Sequence, residues 1–210
     1  MIRVLIVDDQ DLVRHGLKRI FEDTRGINVV AEQTNGTDAL HWLSHNDCDV
    51  VLLDISMPGQ SGIEVLKQVH EEKPQLPILI LSNHTEDQYA VRLVKSGAAG
   101  YLSKGCATAI MIEAVRTAAS GKKYISPTVL EMLVSEISKP EGKLPHEMLS
   151  DREFEVFRLL CAGKGVNDIA AQLFISNKTV STHKANLMEK MNFKSLADLV
   201  RYCVTHGLTD

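Results

Sequence analysis

Val50-Val51-Leu52-Leu53-Asp54-Ile55-Ser56-Met57-Pro58-Gly59 is the stretch that decides how the chain is read. Four apolar residues, two of them β-branched, run straight into a carboxylate, and Pro58-Gly59 ends the run soon after. A short continuous apolar run bounded by turn signals predicts a strand buried on both faces, as in a parallel sheet. Asp54 then stands at the carboxyl end of a central strand, where open α/β sheets place their chemistry. On this stretch alone, an Asp that merely turns the chain explains the pattern as well, since Asp is common in turns. Its neighbours break the tie.

Working outward, residues 2–7 form an apolar run that ends in Asp8-Asp9. Leu12, Val13, Leu17, Ile20 and Phe21 follow at helical spacing. The pattern then predicts a strand over 27–31 and a helix over 37–43. Beyond Asp54 it predicts a helix over 61–70, a strand over 77–81 ending in Ser82, and a helix over 86–95. Tyr101-Leu102 is a short strand running into Ser103-Lys104, and 107–119 is a fifth helix. Strand and helix alternate five times, which is the signature of an α/β fold with a doubly wound, five-stranded parallel sheet.

In such a sheet the strand ends converge on one edge. There Asp8, Asp9 and Asp54 meet Ser82 and Lys104. Three carboxylates crowded together repel, and burying them unpaired is costly. A hard divalent cation resolves the conflict, and Mg²⁺ suits carboxylates, carbonyls and phosphate oxygens. Lys104 adds a point charge for a phosphoryl oxygen or for Asp54 itself, and Ser82 adds a donor. A carboxylate so placed is equipped to take a phosphoryl group as a mixed anhydride. Two enzyme readings fare worse. A dinucleotide fold needs a Gly-rich turn after the first strand, where Asp8-Asp9 would repel a pyrophosphate. An aspartyl-phosphate-forming phosphohydrolase would place a second acid two residues past its nucleophile, and Ser56 stands there.

The 210 residues suffice for two domains, and 44% hydrophobic content is ordinary for globular protein. Apolar stretches fall far short of the roughly 20 residues of a membrane span, and the N-terminus lacks a secretory pattern, so a cytoplasmic address without membrane contact is expected. The four cysteines show no metal-ligand spacing and are expected to be reduced and structural. The net charge of −4 conceals an asymmetry. Acids dominate up to residue 138, whereas 176–194 sets Lys178, Lys184, Lys190 and Lys194 against Glu189 alone. A basic stripe hints at nucleic-acid contact.

Ser126-Pro127 opens a further helix carrying Val129, Leu130, Leu133, Val134 and Ile137. Residues 139–147 hold two prolines, a glycine and alternating charges without periodicity, so they read as a flexible linker. The organisation expected is thus 1–120, a helix and linker over 121–147, and an all-helical domain over 148–210. In the last, Ser150 and Glu153 form a capping box ahead of Phe154, Phe157, Leu160 and Cys161, and Gly163 ends that helix. Short-linked helices over 167–173 and 177–190 make a helix-turn-helix, followed by a final helix over 195–205. Around helix 177–190, Val180, Leu187 and Met191 share one side, while Lys178, Ser181, Thr182, Ala185 and Glu189 lie roughly opposite. Lys178 and Thr179 in the first turn are placed for phosphates. Ser181, Thr182, Lys184 and Ala185 complete the expected DNA-binding set; Ser181 reads any base and Ala185 suits a thymine methyl.

Two family resemblances rest on these residues. Val-Asp-Asp (7–9), Leu-Leu-Asp-Ile-Ser-Met-Pro-Gly (52–59) with Gly62, Ile-Leu-Ile-Leu-Ser (78–82) and Ser-Gly-Ala-Ala-Gly-Tyr-Leu-Ser-Lys (96–104) resemble the receiver domain of two-component response regulators. Ser-Asp-Arg-Glu (150–153), Asn-Asp-Ile-Ala (167–170) and Ser-Asn-Lys-Thr-Val-Ser-Thr-His (176–183) resemble the LuxR-type DNA-binding domain. Together the chain resembles a NarL/FixJ-type response regulator. That resemblance implies a flavodoxin-like receiver followed by a small helix-turn-helix domain. It implies phosphorylation of Asp54 by a sensor histidine kinase, with Mg²⁺ held by Asp9, Asp54 and the Ser56 carbonyl and its waters placed by Asp8. It makes Ser82 and Tyr101 a switch pair and gives Lys104 the phosphoryl group; if the Ser82 hydroxyl moves toward that group, it vacates space into which the Tyr101 ring can turn. It implies double-stranded DNA as partner for helix 177–190, and a homodimer when phosphorylated or on DNA. Many receivers carry Lys-Pro with a cis peptide where this chain has Lys104-Gly105.

Overall fold

The five apolar runs become five parallel strands: β1 (Ile2–Val7), β2 (Ile27–Gln33), β3 (Val50–Asp54), β4 (Ile78–Ser82) and β5 (Gly100–Ser103), in the order β2-β1-β3-β4-β5. The computed structural model describes residues 1–83, 88–137, 144–206 and 208, with the backbone alone for 88, 89 and 135–137. Between the strands lie α1 (Asp11–Glu22), α2 (Gly36–His45), α3 (Gly62–Glu72) and α4 (Gln88–Lys95), and α5 (Thr108–Ala119) follows β5. Every residue of β3 and β4 is buried, as a strand covered on both faces requires.

Strand alternation assigns the two faces. Val4, Ile6, Val50, Leu52, Leu79 and Leu81 share one core cluster with Leu17 and Phe21 of α1 and with Met111, Ala114, Val115 and Ala118 of α5. Their neighbours Leu5, Val7, Val51, Leu53, Ile78 and Ile80 are equally buried and point the other way, toward the remaining helices. The strand order reverses between β1 and β3, so their carboxyl ends flank the crevice where such sheets bind ligands. Gly62 closes the turn after β3. A Cβ there would lie 2.7 Å from the Ile55 Cα and clash with the Asp54 carbonyl oxygen, so only glycine lets α3 start so close to the site.

Two compact units divide the chain, Met1–Val134 and Ser135–Asp210. Residues after α5 stay with the first because Tyr124 bridges to Gly100, its amide bonding Ala99 O at 2.7 Å, and Val129 of α6 (Pro127–Ile137) is buried. Of the expected linker 139–147, residues 139–143 lie outside the described residues. The rest is not aperiodic chain: Pro145–Met148 is a 3-10 turn, opened by proline and tied by a bond from the Leu144 amide to Glu147 Oε2 at 3.1 Å. His146 is buried there, 2.8 Å from the Tyr202 hydroxyl. A single turn is too short to leave a periodic trace in sequence.

The second unit contains α7 (Asp151–Cys161), α8 (Val166–Gln172), α9 (Asn177–Lys190) and α10 (Leu196–Thr205). Its core is Phe154, Phe157, Leu160, Ile169, Val180, Leu187, Leu199 and Cys203. Ser150 and Ser195 cap α7 and α10 as full capping boxes with Glu153 and Asp198. Cys161 and Cys203 come together across α7 and α10 with Cα atoms 6.3 Å apart, a spacing that brings the two thiols side by side, while Cys48 and Cys106 stand apart from them. The two partners lie 42 residues apart in sequence, a separation that only the packing of the bundle reveals. Among the described residues, no helix is long and apolar enough to cross a membrane.

Candidate functional site

Strands β1 and β3 deliver three carboxylates to the crevice. Oxygens of Asp8, Asp9 and Asp54 all lie within 4.8 Å of one another. Asp8 and Asp54 are buried, and Asp9 is half-buried. Backbone groups orient them: the Gln10 amide donates to Asp8 Oδ1 at 2.9 Å, and the Ser56 amide donates to Asp54 Oδ1 at 3.1 Å. One ammonium answers them. Lys104 Nζ lies 2.9 Å from Asp54 Oδ2 and 2.8 Å from Asp8 Oδ2, its side chain only 6% exposed. The loop that brings it is anchored by a bond from the Lys104 amide to Ser82 O at 2.8 Å. Residue 105 joins this loop through a trans bond, since the described residues hold no cis peptide.

The electrostatics are unbalanced. Burial pushes the Asp54 carboxyl up, and Asp8 adds to that against the pull of Lys104. Burial, then the Asp8 charge, likewise raise Asp9. For Lys104, burial works against the charge, but Asp54 and Asp8 outweigh it and hold the ammonium above its ordinary value. Asp9 Oδ1 is buried with no hydrogen-bond partner, and Asp8 Oδ2, likewise without a hydrogen bond, meets only the ammonium. Orphaned carboxylate oxygens aimed into one small space are the donor set of a hard divalent cation.

Ser82 and Tyr101 sit on neighbouring strands, two register positions apart, and both are buried. The Tyr101 ring is buried, at 2% exposure. Arg14 was invisible to pattern reading because it occupies an otherwise ordinary helix position. It is 7% exposed, donates to Asp8 O at 2.7 Å and pairs with Asp11, which fixes the start of α1 against the pocket.

In the second unit, α9 is capped by Ser176, whose hydroxyl accepts from the Thr179 amide at 3.0 Å. Lys178, Ser181, Thr182 and Ala185 are exposed along one face, opposite buried Val180, Leu187 and Met191. Thr179 and Lys184 are half-buried, and the Thr179 hydroxyl is engaged by Ser176 at 2.8 Å. Glu153 does more than cap α7. Its Oε2 accepts from the Ser150 amide at 2.8 Å and from Lys190 Nζ at 2.7 Å, tying the cap of α7 to the end of α9. The capping motif was legible in sequence; the ion pair to a residue 37 positions away was not.

Residues 4–116 match the family described as response regulator receiver domain, and residues 147–203 match that of bacterial regulatory proteins of the luxR family. The chain is a two-component response regulator. The regulator is 39% identical over 209 residues to response regulator UvrY of Escherichia coli K12, covering 99% of this chain and 96% of the relative. It is 35% identical over 211 residues to response regulator GacA of Pseudomonas aeruginosa, covering 100% and 99%. Among solved structures it is similar to the RcsB response regulator of Salmonella typhimurium, with TM-score 0.69, 27% identity, and 100% and 98% coverage. It is similar also to RcsB from Salmonella enterica serovar Typhimurium bound to promoter rprA with the phosphomimetic BeF3⁻, with TM-score 0.65, 27% identity, and 96% and 97% coverage. The regulator therefore joins a receiver to a LuxR-type DNA-binding domain, and its acidic cluster occupies the crevice of the receiver.

Proposed function

We propose that Asp54 accepts a phosphoryl group from a sensor histidine kinase, and that this modification governs sequence-specific DNA binding through α9. The observation that carries the reading is the single ammonium of Lys104 set between buried Asp8 and Asp54, beside a buried Asp9 oxygen that nothing answers. Asp8, Asp9, Asp54 and the Ser56 carbonyl would hold Mg²⁺. When bound, Mg²⁺ neutralises the carboxylates and the charge that develops on the transferred group. The chain's own residues do the rest. An Asp54 carboxylate oxygen forms the new O–P bond as the N–P bond of a phosphohistidine breaks, and the departing imidazole takes up a proton. Lys104 follows the charge from carboxylate to phosphoryl oxygen, and Ser82 supplies a hydroxyl. No acid stands two residues beyond Asp54 to activate water, so the protein acts as a phosphoacceptor that releases phosphate slowly, without repeated turnover.

On DNA, Lys178 and Thr179 are assigned to phosphates, and Ser181, Thr182, Lys184 and Ala185 to the groove. Exposure on α9 supports Lys178 in the first set and Ser181, Thr182 and Ala185 in the second; half-buried Lys184 contributes by its ammonium alone, and Thr179, its hydroxyl engaged by Ser176, by its backbone. A homodimer on two half-sites about one helical turn apart multiplies a small contact. Action in the cytoplasm follows from these partners. Intact-mass spectrometry with acetyl phosphate tests the acceptor: labelling should require Mg²⁺ and vanish in Asp54→Asn, which keeps the shape and removes the nucleophile. Undiminished labelling of Asp54→Asn, or full labelling in excess chelator, overturns the assignment.

A further inference from the structure

On the outer surface of α2, away from the acidic crevice, two histidines stand one helical turn apart. His41 and His45 are both exposed, with ring centroids 4.9 Å apart and planes tilted by 42°. Residues four apart on a helix share a face, and two imidazoles so placed can chelate one metal ion. Two nitrogens on one tetrahedral Zn²⁺ lie about 3.3 Å apart when each bond is about 2.0–2.1 Å. Rings at the observed separation reach that spacing by small side-chain rotations.

The tautomer supplies the second observation. Ser44 Oγ donates its only hydrogen to His41 O at 2.7 Å. His45 Nδ1 lies 2.9 Å from the same Ser44 Oγ and 3.0 Å from His41 O. A carbonyl oxygen cannot donate, and the hydroxyl hydrogen is already used. In the neutral ring these contacts assign the proton to Nδ1, which leaves Nε2 as the lone pair. A ring whose Nδ1–H is held by a backbone carbonyl, with Nε2 presented, is the arrangement that orients metal-ligating histidines. Neither Nε2 of His45 nor either ring nitrogen of His41 has a hydrogen-bond partner among the described residues.

We propose that His41 and His45 form a bidentate surface site for a borderline divalent transition cation (Cu²⁺, Ni²⁺ or Zn²⁺), completed by water. Nitrogen ligands distinguish it from the all-oxygen set at Asp8, Asp9 and Asp54, which favours hard cations. Because both rings must sit on one helical turn, the ion binds the folded α2 and stabilises its last turn.

Trp42, the only tryptophan, lies next to His41 in sequence and reports the site by fluorescence quenching. The untagged full chain, with excess Mg²⁺ to occupy the acidic pocket, is titrated with Cu²⁺. Quenching should saturate near one equivalent. His41→Gln and His45→Gln should each raise the Cu²⁺ needed for half-quenching at least tenfold, with unchanged circular dichroism, while His183→Gln leaves the curve in place. Calorimetry with Zn²⁺ provides a second reading: one site present in the wild type and lost in either variant. A titration curve that neither substitution moves, or a Zn²⁺ isotherm identical in all four proteins, overturns the proposal. A role confined to completing the helix end would show itself as lowered α2 stability in the variants with the metal response intact, and that outcome also overturns it.

Discussion

If Asp8, Asp9 and Asp54 are assembled for a cation, the pocket without one is a place of stored repulsion, and removing a charge should stabilise the fold. Asp9→Asn is the perturbation of choice because Asp9 Oδ1 has no hydrogen bond and, among the described residues, Asp9 has no ion pair within 4.0 Å, so what is lost is its longer-range attraction to Lys104 and Arg14, outweighed by burial and the Asp8 charge. At 4.8 Å, the outer limit of the cluster, each carboxylate pair repels by about 3.5 kcal/mol at an effective dielectric of about 20. Asp9 faces two such charges, and Lys104, held by Asp8 and Asp54, cancels about one of them. Asp9 is half-buried, so water screens what remains, and the expected gain is about 1–2 kcal/mol. For a unit of this size that corresponds to roughly 3–8 °C in Tm. Urea unfolding of the full chain followed by Trp42 fluorescence reports on the first unit. In chelator, Asp9→Asn should unfold at higher urea than the wild type. In excess Mg²⁺ the order should narrow or invert, because the ion stabilises only the protein that keeps all its ligands. A variant less stable than the wild type in chelator would refute the repulsion argument, and a gap indifferent to Mg²⁺ would refute the cation.

Three further outcomes are expected. Gly62→Ala places a Cβ against the backbone of Asp54 and Ile55, which cannot yield as a side-chain tip would; it should lower stability by about 1–3 kcal/mol and slow labelling of Asp54 by acetyl phosphate, and normal labelling kinetics would count against that packing. Glu153→Gln keeps the cap of α7 but loses the charge facing Lys190, which is 43% exposed, so hydrogen exchange in α9 should report a loss of about 1 kcal/mol at pH 7. Burial pushes the Glu153 carboxyl up, yet Lys190 and Ser150 outweigh it and leave the group below its ordinary 4.5. Its contribution is therefore present above that value and fades as pH falls through the lowered one, and a gap that stayed constant below pH 4.5 would refute the ion pair. Phe174 holds a left-handed φ of 52° in the turn before α9 with half its surface exposed; Phe174→Gly should slow exchange of the α9 amides by relieving about 1 kcal/mol, and faster exchange would mean that the ring's packing matters more than its backbone.

Much of the regulator was legible in order along the chain. Strand β3 announced itself because a strand buried on both faces must be continuously apolar, whereas Asp54 stood out only through Asp8, Asp9, Ser82 and Lys104 at the ends of neighbouring apolar runs. Capping at Ser150 and the apolar side of α9 are local patterns with fixed periods, so they survive in sequence. What the tertiary structure alone decided are relations across long separations. Asp8, Asp54 and Lys104 become a buried ion cluster only because β1 and β3 pair side by side and the loop after β5 folds back over them. Glu153 finds Lys190, Cys161 finds Cys203 and His146 finds Tyr202 only because α7 to α10 and the turn before them close into one core. Tyr101 is inside because the neighbouring strands and helices leave a ring-sized space there, a property of packed volume that the pattern of a four-residue strand does not encode.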